Sequence, residues 1–226
     1  MALPALTVTL VLTLAACTIG AYIVGSIPWA YIIVKRVTGQ DITEHGTGNV
    51  GAMNVRRTTG SWKWFIVAMF ADGFKGIIPV VIVRFSLPAL GFSAAATTLA
   101  MQSTVFAVVI GHNYSMWLAI AKKRFVRTGK GLATGGGAVL AYNPAYFLIV
   151  VAVGLSTIAV TRYMLAGQVS AALSLPLAAI LLRRSDWPFT LLIGLIVYAA
   201  HHNRFVGMLR GSEPKLYVDD GSGPRG

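Results

Sequence analysis

The sequence predicts an all-α integral membrane protein that crosses the bilayer about seven times. Of its 226 residues, 56% are apolar and 12% are charged, whereas soluble domains carry about 25% charged residues. Uncharged stretches cover residues 1–34, 85–121, 131–161 and 163–182. Each stretch reaches the roughly 18 residues typical of a membrane-spanning segment. This pattern excludes a water-soluble core, and the apolar surface is expected to face lipid.

The first span is expected to remain attached to the protein. The run Leu14-Ala15-Ala16-Cys17 resembles the cleavage box of a bacterial lipoprotein. However, a signal peptide begins with positive charge, and here the first basic residue is Lys35, after an apolar run that continues to Val34. An uncleaved span is therefore predicted, with a lipoprotein as the alternative. Because Cys17 is the only cysteine, an internal disulfide is excluded.

Candidate spans follow in order near 4–27, 64–83, 90–117, 131–142, 145–161, 163–182 and 187–203. The run 131–161 allows one tilted helix or two short ones broken at Asn143-Pro144, because proline lacks an N–H group and disfavours helix in the preceding residue. Seven spans place 15 flanking basic residues on one side and 3 on the other, whereas six spans give 12 and 6. The positive-inside rule therefore favours seven spans, with the N-terminus outside and the C-terminus cytoplasmic.

We expect a single membrane domain over residues 1–216 and a short polar tail over 217–226. The net charge of +12 agrees with the positive-inside bias and with binding of anionic lipid. No nucleic-acid partner is expected, because the chain has no soluble basic module.

Three polar clusters are predicted to lie at the cytoplasmic face. The first runs from Gly46 to Arg57 and reads GTGNVGAMNVRR. Small residues let the backbone approach a ligand and turn its N–H groups toward an anion, and arginine binds phosphate with a two-pronged fork. The alternative is a glycine-rich turn with lipid-facing arginines.

The second cluster combines Gly111-His112-Asn113-Tyr114, a basic loop at 122–127 and the segment Thr128 to Thr134. Lys130 is predicted at the start of a helix, where free backbone N–H groups and an ammonium group face one phosphate. It is not a Walker A loop, since position 124 is arginine rather than glycine. For His112, the alternative is a structural histidine at a helix end.

The third cluster is His201-His202-Asn203-Arg204 at the end of the last span, followed by a segment from Arg210 to Lys215. Histidine can orient a hydroxyl or accept its proton near neutral pH, and the alternative is a polar cap at the membrane interface. Asp72 and Lys75 share one helical face and are predicted to form a structural pair near the site entrance. Neither a metal nor another cofactor is expected, because the chain lacks a paired carboxylate cluster for a divalent ion.

Together these motifs resemble the acyl-phosphate-dependent glycerol-3-phosphate acyltransferases, the PlsY family of bacterial membranes. The resemblance covers nearly the whole chain: Gly25 to Pro28, Thr47 to Arg57, Gly111 to Tyr114 with Gly129 to Gly131, His201, and Gly211 to Pro214. It implies seven spans in the bacterial inner membrane, with the active site at the cytoplasmic face. It also implies transfer of an acyl chain from acyl phosphate to glycerol 3-phosphate, giving lysophosphatidic acid, and a soluble partner that makes the acyl phosphate.

The resemblance also implies roles for individual residues. The implied catalytic residues are His201, Thr47 and Asn54, and the implied substrate-binding residues are Gly48, Asn49, Gly51, Arg57, His112, Gly129, Lys130, Gly131 and Asn203.

The chain departs from the family pattern at several positions. Threonine replaces serine at Thr47, Thr128 replaces a glycine, and about six extra residues separate Tyr114 from Lys130. In the third cluster, Ala200 replaces an arginine and Arg204 stands where the family has asparagine. Three readings therefore stay open: an active enzyme, a relative with altered or lost catalysis, and a small transporter of phosphorylated metabolites.

Overall fold

The described part of the chain consists of helices and the loops that connect them. In this computed structural model the described residues are 7–182 and 184–210, and the side chains of Asn203 and Leu209 lie outside that description. The chain divides near Pro144 into two compact units, one up to Pro144 and one from Ala145 onward. The Gly211 to Pro214 motif and the 217–226 tail fall outside the described residues.

The first unit contains seven α-helices and one short 3-10 helix among its described residues. They are α1 (Val8–Gly25), α2 (Trp29–Thr38), a 3-10 helix (Ile42–Glu44), α3 (Ala52–Thr59), α4 (Trp62–Ala89), α5 (Ala94–Asn113), α6 (Met116–Lys122) and α7 (Leu132–Tyr142). Helix α1 packs on α5, and α4 packs on both α5 and α7. The second unit contains α8 (Pro144–Thr161), α9 (Met164–Leu181) and α10 (Trp187–Leu209), of which α9 and α10 pack together.

Within the described residues, five segments are long and apolar enough to cross a membrane, judged by length and composition. They are Val8–Thr38, Trp62–Ala89, Ala94–Lys122, Pro144–Thr161 and Met164–Leu181, and two shorter apolar helices cover Leu132–Tyr142 and Trp187–His202. These seven segments correspond to the seven predicted spans. The break expected at Asn143-Pro144 is present, because α7 ends at Tyr142 and α8 begins at Pro144.

Close helix contacts in the first unit depend on glycine. A side-chain carbon at Gly25 would overlap the backbone of Val108, and one at Gly137 would overlap the backbone of Gly73. The first contact brings α1 against α5, and the second brings α7 against α4. Small residues at such crossings let membrane helices approach closely, where lipid provides no hydrophobic driving force for association.

The structure adds helices where the sequence predicts loops or a continuous span. The segment after the Gly25 to Pro28 bend forms α2, the carboxyl end of the first cluster forms α3, and α6 follows a break after Asn113. Helix α10 continues to Leu209, beyond the predicted end of the last span. The short elements pack around a small apolar core. Its buried members are Ala30, Ile33, Val34, Ile42, Val50, Val55, Ala68 and Leu118.

Candidate active site

The first cluster forms a loop that the Asn54 side chain holds together. Asn54 is 1% exposed and lies in the first turn of α3. Its amide nitrogen donates to the carbonyl oxygens of Ile42 (3.2 Å) and His45 (2.9 Å), and its oxygen accepts from the Thr47 backbone N–H (3.0 Å). Both amide N–H donors are therefore engaged with the backbone, and these contacts give Asn54 a positioning role for Thr47.

The groups that this loop presents are Thr47, Asn49 and Arg57. Thr47 and Arg57 are exposed, and Asn49 is half-buried. Gly48 has a φ of +66°, a left-handed conformation that glycine adopts without strain. The neighbouring Arg56 lies over the Trp62 ring at 3.7 Å. Arg57 is the exposed arginine of this pair, so its guanidinium is accessible to a phosphate.

The second cluster places Lys130 two residues before α7 begins. Gly131 precedes α7 with a φ of +72°, and no side chain caps the helix start. Gly51 likewise precedes α3 without a side-chain cap. Unsatisfied N–H groups at a helix start carry partial positive charge and bind anions. Lys130 is half-buried. Because α7 begins two residues later, the predicted position of Lys130 at a helix start is confirmed.

The two predicted phosphate segments are directly joined. The Val50 backbone N–H donates to the Thr128 carbonyl at 2.7 Å, and the Thr128 N–H donates to the Asn113 carbonyl at 2.8 Å. The Gly129 N–H also approaches the Asn113 carbonyl, at 3.4 Å. Sequence reasoning did not single out Asn113 for this role, because a backbone carbonyl has no signature in the sequence.

His112 lies behind the Lys130 segment. It is 8% exposed, and its Nδ1 lies 3.2 Å from the Thr134 hydroxyl and 3.7 Å from an Asp72 carboxylate oxygen. Its ring packs directly against Gly129, where an added side-chain carbon would overlap it. The predicted pair of Asp72 and Lys75 is confirmed, with a separation of 2.9 Å.

The third cluster lies on α10 in the second unit. His201 is 1% exposed, and its Nδ1 lies 2.8 Å from the Val197 carbonyl oxygen. Because a carbonyl only accepts, Nδ1 carries a proton in this contact. His202 is exposed and packs edge-on against Tyr198. The predicted substrate contact of the Asn203 side chain lies outside the described residues.

One partner of an ion pair lies close to the first cluster in the sequence. Asp41 forms an ion pair with Lys122, and its Oδ1 accepts from the Thr43 backbone N–H at 2.9 Å. Burial raises the pKa of the Asp41 carboxyl, but the hydrogen bonds from Lys122 and Thr43 outweigh that effect and hold this pKa below its usual value. The pair therefore anchors α6 to the segment that precedes the Thr47 loop.

Comparisons of the whole sequence with known proteins give one consistent description. The family model for glycerol-3-phosphate acyltransferase matches residues 15–211. Glycerol-3-phosphate acyltransferase of Desulforamulus reducens is 34% identical over 200 residues, covering 88% of this chain and 92% of the relative. A glycerol-3-phosphate acyltransferase of Thermus thermophilus is 36% identical over 198 residues, covering 87% of this chain and 92% of the relative.

Solved structures lead to the same family. The crystal structure of PlsY, an integral membrane glycerol 3-phosphate acyltransferase, in its glycerol 3-phosphate form, matches with a TM-score of 0.75 and 29% identity. That match covers 89% of this chain and 94% of PlsY. The lysophosphatidic acid form of PlsY matches with a TM-score of 0.73 and 27% identity. The family match over most of the sequence and the shared helical fold show that this chain belongs to the glycerol-3-phosphate acyltransferase family of integral membrane proteins.

Proposed function

We propose that this protein transfers a fatty acyl group from acyl phosphate to the 1-hydroxyl of glycerol 3-phosphate, giving lysophosphatidic acid. The observation that carries the proposal is the 2.7 Å hydrogen bond from Val50 to Thr128. It brings together two glycine-rich segments, each of which ends at a helix start. Lys130 lies in the second segment, and Arg57 lies in the last turn of α3, the helix that follows the first segment. A reaction in which both substrates carry phosphate requires two neighbouring anion sites of this kind.

The chemistry asks the protein mainly to hold and align its substrates. The hydroxyl oxygen of glycerol 3-phosphate attacks the carbonyl carbon of the acyl phosphate, and the bond from that carbon to the phosphate oxygen breaks. Inorganic phosphate leaves, and the hydroxyl proton passes to a phosphate oxygen or to His201. Because the donor is already an activated anhydride, positioning and stabilisation of the developing negative charge supply most of the catalysis.

In this proposal Lys130, with Gly129, Gly131 and the start of α7, binds one phosphate. Arg57 binds the other, together with the backbone of Gly48, Asn49 and Gly51. Arg57 follows the loop that Asn54 holds in place, and this position supports the assignment. The exposed Thr47 hydroxyl contacts a substrate phosphate or the reacting carbonyl, and Asn54 keeps Thr47 in place.

His201 orients the attacking hydroxyl. Its buried position on α10 and the Nδ1 contact with Val197 fix one ring orientation, which supports a positioned acid-base group over an interfacial cap. The proposed location is the cytoplasmic face of a bacterial inner membrane, where a soluble enzyme would deliver the acyl phosphate.

Activity of the purified protein tests this proposal. The protein in detergent is given glycerol 3-phosphate with either acyl phosphate or an acyl thioester of the same chain length, and lysophosphatidic acid is measured by mass spectrometry. We expect lysophosphatidic acid with acyl phosphate as the donor and none with the thioester. Product from the thioester alone would overturn the donor assignment. Absence of product from both donors, combined with counterflow of labelled glycerol 3-phosphate in proteoliposomes, would favour a transporter.

A further inference from the structure

A cluster of buried polar side chains lies behind the Lys130 segment. The side chains of Asp72 and Lys75 are each 3% exposed, and that of His112 is 6% exposed. Thr134 is fully buried. Removing charges from water is expensive, and replacement of a buried ion pair by apolar residues is often neutral or stabilising. Because stability alone is a weak reason to bury this pair within a membrane span, a functional role is the better explanation.

Each member of the cluster contacts a point where a helix begins or ends. Lys75 donates to the Ile27 carbonyl at 2.8 Å, at the break between α1 and α2. His112 is in the last turn of α5, and Thr134 is in the first turn of α7. The cluster therefore ties the middle of α4 to three chain breaks.

The connection from Asp72 to the Lys130 segment passes through His112. One side of the His112 ring lies 3.7 Å from the Asp72 carboxylate and 3.2 Å from the Thr134 hydroxyl. On the other side, a side-chain carbon added at Gly129 would come within 2.5 Å of the ring Nε2. The ring thus lies between Asp72 and Gly129, so close to Gly129 that a side-chain carbon there would overlap it.

We propose that Asp72 and Thr134 are positioning residues, which act through His112 to fix the segment Gly129-Lys130-Gly131 for phosphate binding. Lys75 balances the Asp72 charge and holds the bend before α2. His112 then serves the phosphate site through Gly129, without contact with the substrate. The inference rests on the proposed function, in which the Lys130 segment holds a substrate phosphate. A displacement of about 1 Å in such a segment lowers kcat/KM substantially.

Two substitutions test the proposal from different sides. Asp72→Asn keeps the size of the side chain but removes its charge, and Thr134→Val removes the hydroxyl while keeping the ion pair intact. Each is measured alone and combined with Lys130→Ala. Each single substitution is expected to raise KM for one phosphate substrate about tenfold with little change in kcat, and to have less than about a twofold effect once Lys130 is absent. Thr134→Ser keeps the hydroxyl and should therefore have the same KM as the wild-type protein.

Amide hydrogen exchange of residues 128–131 gives a readout that does not need activity. The N–H groups of Thr128 and Gly129 bond to the Asn113 carbonyl, so a displaced segment should exchange faster while α4 and α7 stay protected. Thr104→Val is the matched control. Thr104, in α5, is a fully buried threonine like Thr134, but its hydroxyl donates to the Ala100 carbonyl of its own helix. This variant should change neither KM nor exchange at 128–131.

The outcomes separate the possible failures. Unchanged exchange at 128–131 in folded Thr134→Val, or effects on KM that multiply with those of Lys130→Ala, would overturn the positioning role. If Asp72→Asn does not fold, Thr134→Val decides the matter alone, because it keeps the pair of Asp72 and Lys75. If the wild-type protein transfers no acyl group from any donor, the proposed function fails, while the exchange measurement still tests whether His112 and its partners fix the segment.

Discussion

The backbone N–H of Val50 donates a 2.7 Å hydrogen bond to the carbonyl oxygen of Thr128. Val50 is 4% exposed and belongs to the small core around α2 and α3. The bond therefore connects the first glycine-rich segment, anchored in that core, to the segment that carries Lys130. A change in either segment is expected to affect the other.

Replacement of Lys130 by alanine should weaken substrate binding more than folding. Loss of one charge-assisted contact costs about 1.5–3 kcal/mol, or roughly ten- to a hundredfold in kcat/KM. Steady-state kinetics with each phosphate substrate varied in turn would show which phosphate Lys130 binds. Lys123→Ala is the control, because Lys123 is an exposed cation of the preceding basic loop. Full activity of Lys130→Ala would rule out a phosphate site at the start of α7.

Asn54→Ala should lower both stability and activity. The substitution leaves the Ile42 and His45 carbonyls and the Thr47 N–H without their side-chain partner. Each buried polar group left unsatisfied costs about 1–3 kcal/mol. Thermal unfolding in detergent and the acyl-transfer rate would be measured together. Thr47→Ser, which keeps the hydroxyl, should leave both nearly unchanged. A stable Asn54→Ala variant with normal turnover would show that the loop does not depend on this amide.

His201→Ala should lower turnover far more than His202→Ala. A positioned acid-base group contributes roughly 10²- to 10⁴-fold. The two histidines differ as helical geometry predicts, since His201 is 1% exposed and His202 is exposed. The measurement is kcat of each variant, made at a temperature at which melting curves show that both variants are folded. A larger loss in His202→Ala would transfer the role to that residue, and no loss in either would remove the third cluster from the mechanism.

Asp41→Asn should lower thermal stability at neutral pH but not in acid. The pKa of Asp41 is lowered in the folded protein, so its ionised carboxylate stabilises the fold at pH values above its ordinary pKa of about 3.9. That stabilisation is lost as the pH falls through the lowered pKa. Melting curves of both proteins from neutral to acidic pH should therefore converge in acid. Salt should reduce the difference at neutral pH, because Lys122 is partly exposed. A difference that is constant with pH would contradict this electrostatic origin.

The basic loop at 122–127 and the C-terminus are predicted to be cytoplasmic, with the N-terminus outside. The reason is the split of 15 basic residues against 3. Ser86 and Val126 are both exposed, so each can be replaced by cysteine in a chain whose Cys17 is changed to alanine. A membrane-impermeant thiol reagent added to intact cells should label position 86 but not position 126. Equal labelling from outside would overturn the orientation.

The sequence by itself determined the membrane class, the helical fold and the candidate residues. Hydropathy and proline are local signals, because a span needs a continuous apolar run and Pro144 cannot donate a helical hydrogen bond. The pair of Asp72 and Lys75 was likewise predictable, since residues three apart share a helical face. The glycine-rich segments pointed to phosphate because their residue types suit anions wherever they occur.

Only the tertiary structure decided how those residues are combined. The contact of Val50 with Thr128 and the packing of His112 on Gly129 join backbone groups that are distant in sequence, and backbone groups are the same in every residue type. Asn54 is a predicted catalytic residue from its motif, whereas its burial and its three backbone contacts depend on how α3 packs. The local pattern specifies which groups can bind phosphate, whereas their distances follow from helix packing, which no local pattern encodes.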